Sequence, residues 1–176
     1  MKKTYYINPE LLNAYVKREM KAKSQLVFGI MGAFALLFLI LLQFNLNSFC
    51  FAALFMLLAF VLQLSAENGT RNLAKSLQIT FTDDAVVKIH AKDQVDGLTQ
   101  VGMELNSMRY GTKFNLVIPY KKINYTEISE HQITIVKDGF SFDDNNKVKI
   151  PKETIDYEEV LHYIQENSKK FNVIQE

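Results

Sequence analysis

The chain has 176 residues, of which 48% are hydrophobic and 22% charged, and its formal net charge is +1. This length fits one ordinary domain, and the composition excludes a disordered or collagen-like chain. The near-neutral charge argues against a nucleic-acid-binding protein. The single cysteine excludes an intrachain disulfide framework and a zinc site built from cysteines.

The charged residues are distributed unevenly. The first 24 residues carry six Lys or Arg and two Glu, whereas residues 24–66 contain no Asp, Glu, Lys, Arg or His. Residues 67–176 carry fourteen Lys or Arg and seventeen Asp or Glu, a net charge of −3. This pattern predicts a membrane protein with a modest soluble domain, because a 43-residue uncharged stretch would dominate a soluble protein of this size.

Residues 1–24 are predicted to form a strand followed by a short amphipathic helix. Residues 4–7 are strand formers that could pair with the soluble domain, and Asn8-Pro9 is a helix-start pattern of N-cap and first-turn proline. Basic side chains near the end of this helix form a predicted membrane-proximal collar: Lys17, Arg18, Lys21 and Lys23.

Residues 25–66 are predicted to form a transmembrane hairpin. Residues 26–44 and 48–66 are each long enough to cross the hydrocarbon core as a helix, which takes about 20 apolar residues. The three-residue link Asn45-Leu46-Asn47 makes the two spans antiparallel. Positive residues flank the hairpin and none lies in the link, which predicts a multi-pass inner-membrane protein with both termini in the cytoplasm.

Residues 67–76 read as a polar connector, and residues 77–176 as the soluble domain. Alternating apolar and polar residues predict about seven short antiparallel strands. These lie near residues 77–81, 87–91, 101–110, 114–118, 123–128, 133–135 and 148–150, with a further pair at Phe140 and Phe142. Asp156 and Glu159 resemble a capping box that opens a final helix with an apolar stripe through Leu161 and Ile164. Strands followed by one amphipathic helix predict an α+β domain, a small sandwich or partly open barrel capped by the helix.

Two segments resemble the YcxB-like family of bacterial membrane proteins. The first is Ile118-Pro119-Tyr120-Lys121-Lys122-Ile123, in which Tyr120 stands where the family usually has Trp. The second is Val148-Lys149-Ile150-Pro151-Lys152, followed by the start of the final helix. The resemblance implies a two-span hairpin with a cytosolic pleckstrin-homology-like domain, and it implies no established reaction.

No catalytic, cofactor or metal site is expected. The three histidines are scattered singly and are predicted to be exposed polar residues. The fold that the resemblance implies suggests headgroup binding, for which Lys88, Lys92, Lys121 and Lys122 form a possible basic contact patch. A specific phospholipid headgroup is nevertheless disfavoured for this domain, because Asp83 and Asp84 in its first strand-to-strand loop would repel phosphate.

The sequence therefore predicts a membrane-anchored interaction or scaffold protein rather than an enzyme. Its partners would be the lipid bilayer and either another protein or further copies of itself, and no nucleic acid. Two alternatives remain open: an accessory or immunity-type subunit of a membrane transporter, and an enzyme that acts at the membrane surface.

Overall fold

The computed structural model describes residues 3–41, 43–110, 113–139 and 144–174. The chain divides into two compact units. The helical unit comprises Asn13–Arg71, and the β-unit combines the residues up to Leu12 with those from Asn72 onward. The helical unit is therefore an insertion in the chain of the β-unit.

The helical unit is made of most of two long helices, α1 (Leu12–Leu41) and α2 (Leu46–Ser76), whose outer ends belong to the β-unit. Gln43 and Phe44 between them both adopt left-handed backbone angles, with φ of 54°. The Phe44 N–H donates to the Leu39 carbonyl at 2.9 Å, which closes the end of α1. The hairpin predicted from the sequence is therefore present.

Aromatic rings pack between the two helices. Phe38 contacts both Phe51 and Phe55, with ring centroids 5.7 and 5.2 Å apart, and Phe34 stacks on Phe55 at 6.1 Å. Small residues complete this contact: Ala35 and Ala59 are both buried. Phenylalanine contacts and close-packed alanines thus hold the two helices side by side.

The helices have different bounds from those predicted. The segment before the first span is continuous with it, and α1 begins at Leu12 rather than at Pro9. The Asn8 side chain instead accepts a hydrogen bond from the Glu10 N–H at 3.0 Å, so Asn8 forms a local turn. Residues 67–76, predicted as a connector, are the last turns of α2. The helix continues through Gly69, where an added Cβ atom would meet no other atom within 4 Å.

Both helices are long and apolar enough to cross a membrane. Only 6% of the most apolar 18-residue window of each helix is buried. A core helix of a soluble protein would have most of this surface covered, because large exposed apolar surfaces are unfavourable in water. The exposed apolar surface fits lipid contact.

The described residues of the β-unit form two four-stranded sheets. The first is fully antiparallel in the order β1 (Lys3–Tyr6), β2 (Leu77–Phe81), β3 (Ala85–His90) and β4 (Leu116–Pro119). The second has the order β7 (Lys147–Pro151), β6 (Gln132–Lys137), β5 (Ile123–Ile128) and β8 (Val173–Ile174). Strand β8 runs parallel to β5, and the other pairs are antiparallel. The α+β class predicted for the chain is confirmed.

The N-terminal strand joins the first sheet, a pairing that the sequence left open. Tyr6 lies opposite Gln78 and Lys3 opposite Phe81, so β1 and β2 pair like the arms of a hairpin. Thr4 and Thr80 bond through their hydroxyls at 2.9 Å. Between β1 and α1, Ile7 forms an isolated antiparallel β-bridge with Thr154.

The C-terminal helix exists and starts where the sequence predicted, but it lacks the predicted side-chain cap and is interrupted before its end. Helix α4 spans Tyr157–Glu166, and a break at Asn167 separates it from α5 (Ser168–Phe171). Asp156 does not cap α4 through its side chain; it adopts a left-handed conformation with φ of 56°, and its carboxylate lies 3.7 Å from the Lys3 ammonium. The capping-box prediction is wrong because this turn places the side chain beside β1.

An aromatic cluster forms the core where α4 and α5 meet the sheets. Phe171 is fully buried, and its ring contacts those of Phe81, Tyr120 and Tyr163 at 5.3–6.0 Å. Val160 and Ile164 of α4 are also fully buried, whereas Leu161 is only half-buried. The buried face of α4 is thus rotated slightly from the predicted stripe. The predicted strand at Phe140 and Phe142 lies outside the described residues.

Joining residues 1–12 to residues 72–176 through a short Gly-Ser linker should give a folded β-unit without the helical insertion. The linker replaces the insertion where β1 and β2 already pair as neighbours. We expect a strand-rich circular dichroism spectrum and a cooperative thermal transition.

The matched control is residues 72–176 alone. Without β1 this chain loses the buried Tyr5 and exposes the edge of β2, so its melting temperature should fall by several degrees. Equal melting temperatures would show that β1 contributes nothing to the β-unit.

Candidate functional site

The segment between β3 and β4 forms a helix, α3 (Gly97–Tyr110). The Asp96 side chain caps it by accepting a hydrogen bond from the Thr99 N–H at 2.7 Å. The hydrogen bonds from Thr99 lower the pKa of the Asp96 carboxyl, and the Asn72 amide donates to the same carboxylate. Within the β-unit, the start of α3 is therefore fixed to the last turns of α2.

One face of α3 carries four exposed apolar side chains, which we call the α3 stripe: Leu98, Val101, Leu105 and Met108. Their exposed fractions are 79%, 54%, 60% and 82%. Spacings of three, four and three residues place them in a line along the helix, as in the a and d positions of a heptad. An ordered exposed apolar line is typical of an interaction surface.

The sequence had predicted a strand here, and this prediction is wrong. Val101, Met103 and Leu105 alternate as in a strand, but Leu98, Val101, Leu105 and Met108 also fit a helix period. Short apolar runs allow both interpretations. The Asp96 cap three residues before Thr99 was the local signal that favours a helix.

The four lysines of the predicted basic contact patch lie at different places. Lys121 and Lys122 are exposed in the turn between β4 and β5, beside the Ala85 end of β3. Lys88 is half-buried within β3 opposite Leu116. Lys92 follows the other end of β3, and its side chain lies outside the described part of the structure. A strand of six residues separates the two ends by about 17–20 Å, so the backbone at Lys92 lies far from the turn that holds the neighbours Lys121 and Lys122.

The four residues of the predicted collar all lie on the first half of α1. Lys17, Lys21 and Lys23 are exposed, and Arg18 is half-buried. The Arg18 guanidinium lies 5.5 Å from the ring centre of Tyr15 and 3.9 Å from a Glu19 oxygen. The collar thus forms one continuous basic segment of a helix.

His90 is buried, which contradicts the prediction that all three histidines are exposed; His131 and His162 are exposed, as predicted. The Nδ1 atom of His90 lies 2.9 Å from the Ser76 Oγ and 3.1 Å from the Leu73 carbonyl oxygen. The Ser76 hydroxyl also donates to that carbonyl at 2.9 Å. Since Leu73 O accepts, Nδ1 is the protonated nitrogen that donates, and the Ser76 hydroxyl is not activated for attack.

This histidine therefore joins the end of α2 to the first sheet. Together with the Ser76 hydroxyl, it donates to the Leu73 carbonyl in the last turn of the helix, where carbonyls lack a donor from the helix itself. Burial, reinforced by the Lys88 charge, lowers the pKa of His90 to about 4. The side chain is neutral at physiological pH.

Tyr120, the buried tyrosine of segment 118–123, also has a structural role. The Tyr120 hydroxyl donates to the Thr82 carbonyl at 2.8 Å, and the Lys170 ammonium lies 3.6 Å from the centre of its ring. Burial raises the pKa of this phenol. Tyr120 thus connects the turn before β5 to the β2–β3 turn and to α5.

Comparisons with family models, with curated proteins and with solved structures return no match.

The buried histidine should make the β-unit sensitive to acid. Because its folded pKa of about 4 lies below the unfolded value of about 6.5, stability is complete above pH 6.5 and falls as the pH drops toward 4. The loss should reach at most about 3 kcal/mol, and denaturant unfolding of the fused β-unit between pH 4 and 8 measures it.

His90→Asn is the matched variant, because the Asn amide can still donate to the Leu73 carbonyl but does not titrate. Its free energy of unfolding should change less between pH 6.5 and 4 than that of the parent. Parallel pH profiles would mean that His90 is not the titrating group.

Proposed function

We propose that this chain is a membrane-anchored interaction protein. In this proposal α1 and α2 cross the membrane as a hairpin, and the β-unit associates with a second copy through the α3 stripe. The exposed stripe of Leu98, Val101, Leu105 and Met108 is the observation that carries the proposal.

The arrangement of the β-unit supports a pleckstrin-homology-like fold as its scaffold. Strands β1 to β4 follow one another across the first sheet, β5 to β7 follow one another across the second, and a helix comes after them. Together with the segments around Tyr120 and Ile150, this order is the basis for proposing a relationship to the YcxB-like family. Such a scaffold presents surface helices and loops to partners without needing a catalytic centre.

Spacing and charge on α3 favour a second copy in parallel orientation as the partner. With Leu98 and Leu105 as a positions, Glu104 is the g position of the first heptad and Arg109 the e position of the second. In a parallel two-stranded coiled coil a g residue lies beside the e′ residue five positions on. Glu104 and Arg109 are exposed and would therefore form two symmetric ion pairs between copies.

Membrane anchoring would make this short contact effective. A helix of 14 residues offers only two heptads, which is marginal for two chains free in solution. Confinement to one membrane raises the effective concentration of the two copies without adding any contact. The hairpin and α3 would thus act together.

The proposed orientation places the link between α1 and α2 outside the cell. In a Cys50→Ser background, Asn47→Cys should react with a membrane-impermeant thiol reagent added to intact cells. Asn124→Cys, which is equally exposed but lies in the β-unit, should react only after the cells are opened. Labelling of Asn124→Cys in intact cells would show that the true orientation is the reverse of the proposed one.

Self-association through α3 should be detectable by oxidative cross-linking in membranes. In the same Cys50→Ser background, Val101→Cys should form a covalent dimer because this position faces its copy across the seam. Asn106→Cys is exposed on the same helix but outside the stripe, so it should remain monomeric.

Charge reversal tests the parallel arrangement. Glu104→Arg or Arg109→Glu alone should reduce the yield of the Val101→Cys dimer, because each places like charges together. The double reversal should restore the yield. Equal yields from Val101→Cys and Asn106→Cys would show random collision and would refute the α3 contact.

A further inference from the structure

The open end of the helical hairpin contains a cavity of about 730 Å³ that is lined by polar and apolar side chains, and we call it the hairpin cavity. Five side chains from α1 and three from α2 face it at helical spacing. Those of α1 are Asn13, Lys17, Lys21, Ser24 and Gln25, and those of α2 are Gln63, Glu67 and Arg71. Val16 and Met20 supply its apolar wall. The cavity lies wholly within the helical unit.

The cavity has an excess of positive charge. It is lined by three cationic side chains and one carboxylate, that of Glu67. Glu67 accepts from Arg71 at 3.3 Å, and Arg71 also donates to the Asn13 side chain at 2.7 Å. Arg71 is thereby held in position, and its charge is partly balanced.

Lys17 and Lys21 supply the unbalanced charge. They are four residues apart on one face of α1, and neither forms an ion pair with any described residue. Like charges at this spacing repel each other and destabilise a helix. A bound anion would remove this repulsion, since a phosphate oxygen can accept hydrogen bonds from both ammonium groups.

Gln63 provides a second, independent indication of a ligand. Its Oε1 atom is buried and has no hydrogen-bond partner among the described residues. An unsatisfied buried acceptor is unfavourable, so this atom favours a ligand that carries a donor. A hydroxyl next to a phosphate, as in a glycerol headgroup, would meet both requirements.

The position of the cavity along the helices points to a lipid. Ser24, Gln25 and Gln63 lie just inside the ends of the uncharged stretch 24–66, and the lysines lie just outside it. If the hairpin crosses the membrane, this is the level of the lipid phosphates. Exposed apolar side chains such as Leu26 and Leu62 continue along the helices from this level and could contact acyl chains.

We propose that the hairpin cavity binds the headgroup of an anionic phospholipid, with Lys17, Lys21 and Arg71 around the phosphate and Gln63 Oε1 accepting from a headgroup hydroxyl. The inference rests on the membrane-anchoring part of the proposed function and is independent of the α3 stripe. It also differs from the headgroup site considered for the β-unit, since none of the residues is shared.

The test uses the full-length protein solubilised in a neutral detergent. Short-chain phosphatidylglycerol is titrated while the melting temperature is recorded, with short-chain phosphatidylcholine and inorganic phosphate as parallel arms. We expect a saturable increase with phosphatidylglycerol alone. An equal increase with inorganic phosphate would identify a free-anion site and overturn the lipid proposal, as would an equal increase with phosphatidylcholine.

Matched variants separate the cavity from general attraction of the basic collar. The double variant Lys17→Gln, Lys21→Gln should bind more weakly, so the half-saturating concentration of phosphatidylglycerol should rise by about tenfold or more. Lys23→Gln removes an exposed charge from the same helix but outside the cavity, and should change it by less than about twofold. Equal effects of Lys23→Gln and of a single Lys17→Gln would mean unspecific attraction and refute the site.

A third variant tests the role assigned to Gln63. Gln63→Leu should weaken the binding of phosphatidylglycerol. The half-saturating concentration of phosphatidic acid, which has no headgroup hydroxyl beyond the phosphate, should change by less than about twofold. Equal weakening of both lipids would refute the hydrogen bond to Oε1. Thiol labelling at Asn47 remains a separate readout, so failure of the headgroup site and failure of membrane insertion give different results.

Discussion

The pairing of β1 with β2 is the constraint on which the rest of the structure depends. These strands are neighbours in the sheet, but about seventy residues separate them in the chain, and all of α1 and α2 lie between them. Closing so long a loop costs entropy, although the cost rises only slowly with length. Formation of the helical hairpin reduces this cost, because it brings the two ends of the insertion back together.

The contacts around β1 offset the remaining cost. Tyr5 is buried, its ring meets that of Phe81 at 5.8 Å, and its hydroxyl reaches Glu159 of α4. Lys3 bonds to the same Glu159, which raises the pKa of the Lys3 ammonium. Strand β1 therefore connects the first sheet to the C-terminal helix, and the β-unit is complete only when both ends of the chain are in place.

Much of this architecture could be predicted from the sequence, because strong patterns fix it. The uncharged stretch 24–66 predicted the helical hairpin, and alternation predicted β2 and β5 to β7. The errors occur where local patterns are ambiguous or where tertiary contacts decide. Segment 97–110 fits the period of a helix as well as that of a strand. The conformation of Asp156 depends on β1, which is about 150 residues away in the chain. His90 is buried because the end of α2 covers it, which no local pattern could indicate.

The candidate sites were less predictable than the fold. Lys17 and Lys21 stood out as part of a basic collar, but their convergence with Gln63 and Arg71 depends on the register of two helices. The apolar residues of the α3 stripe were all visible in the sequence, yet their exposure contradicts the usual expectation that such residues form a core. Such a surface can be recognised only from a structure, which shows that these apolar residues lie outside the core.

The insertion between β1 and β2 also has a consequence for the order of events during synthesis. Strand β1 leaves the ribosome first and has no partner until β2 follows about seventy residues later. At about 5–20 residues per second, this interval lasts roughly 4–14 seconds. Both hydrophobic helices emerge within it, so the sheet cannot close before the hairpin has been made. A strand of only four residues is a poor template for pairing with other chains, which protects the nascent protein while it waits.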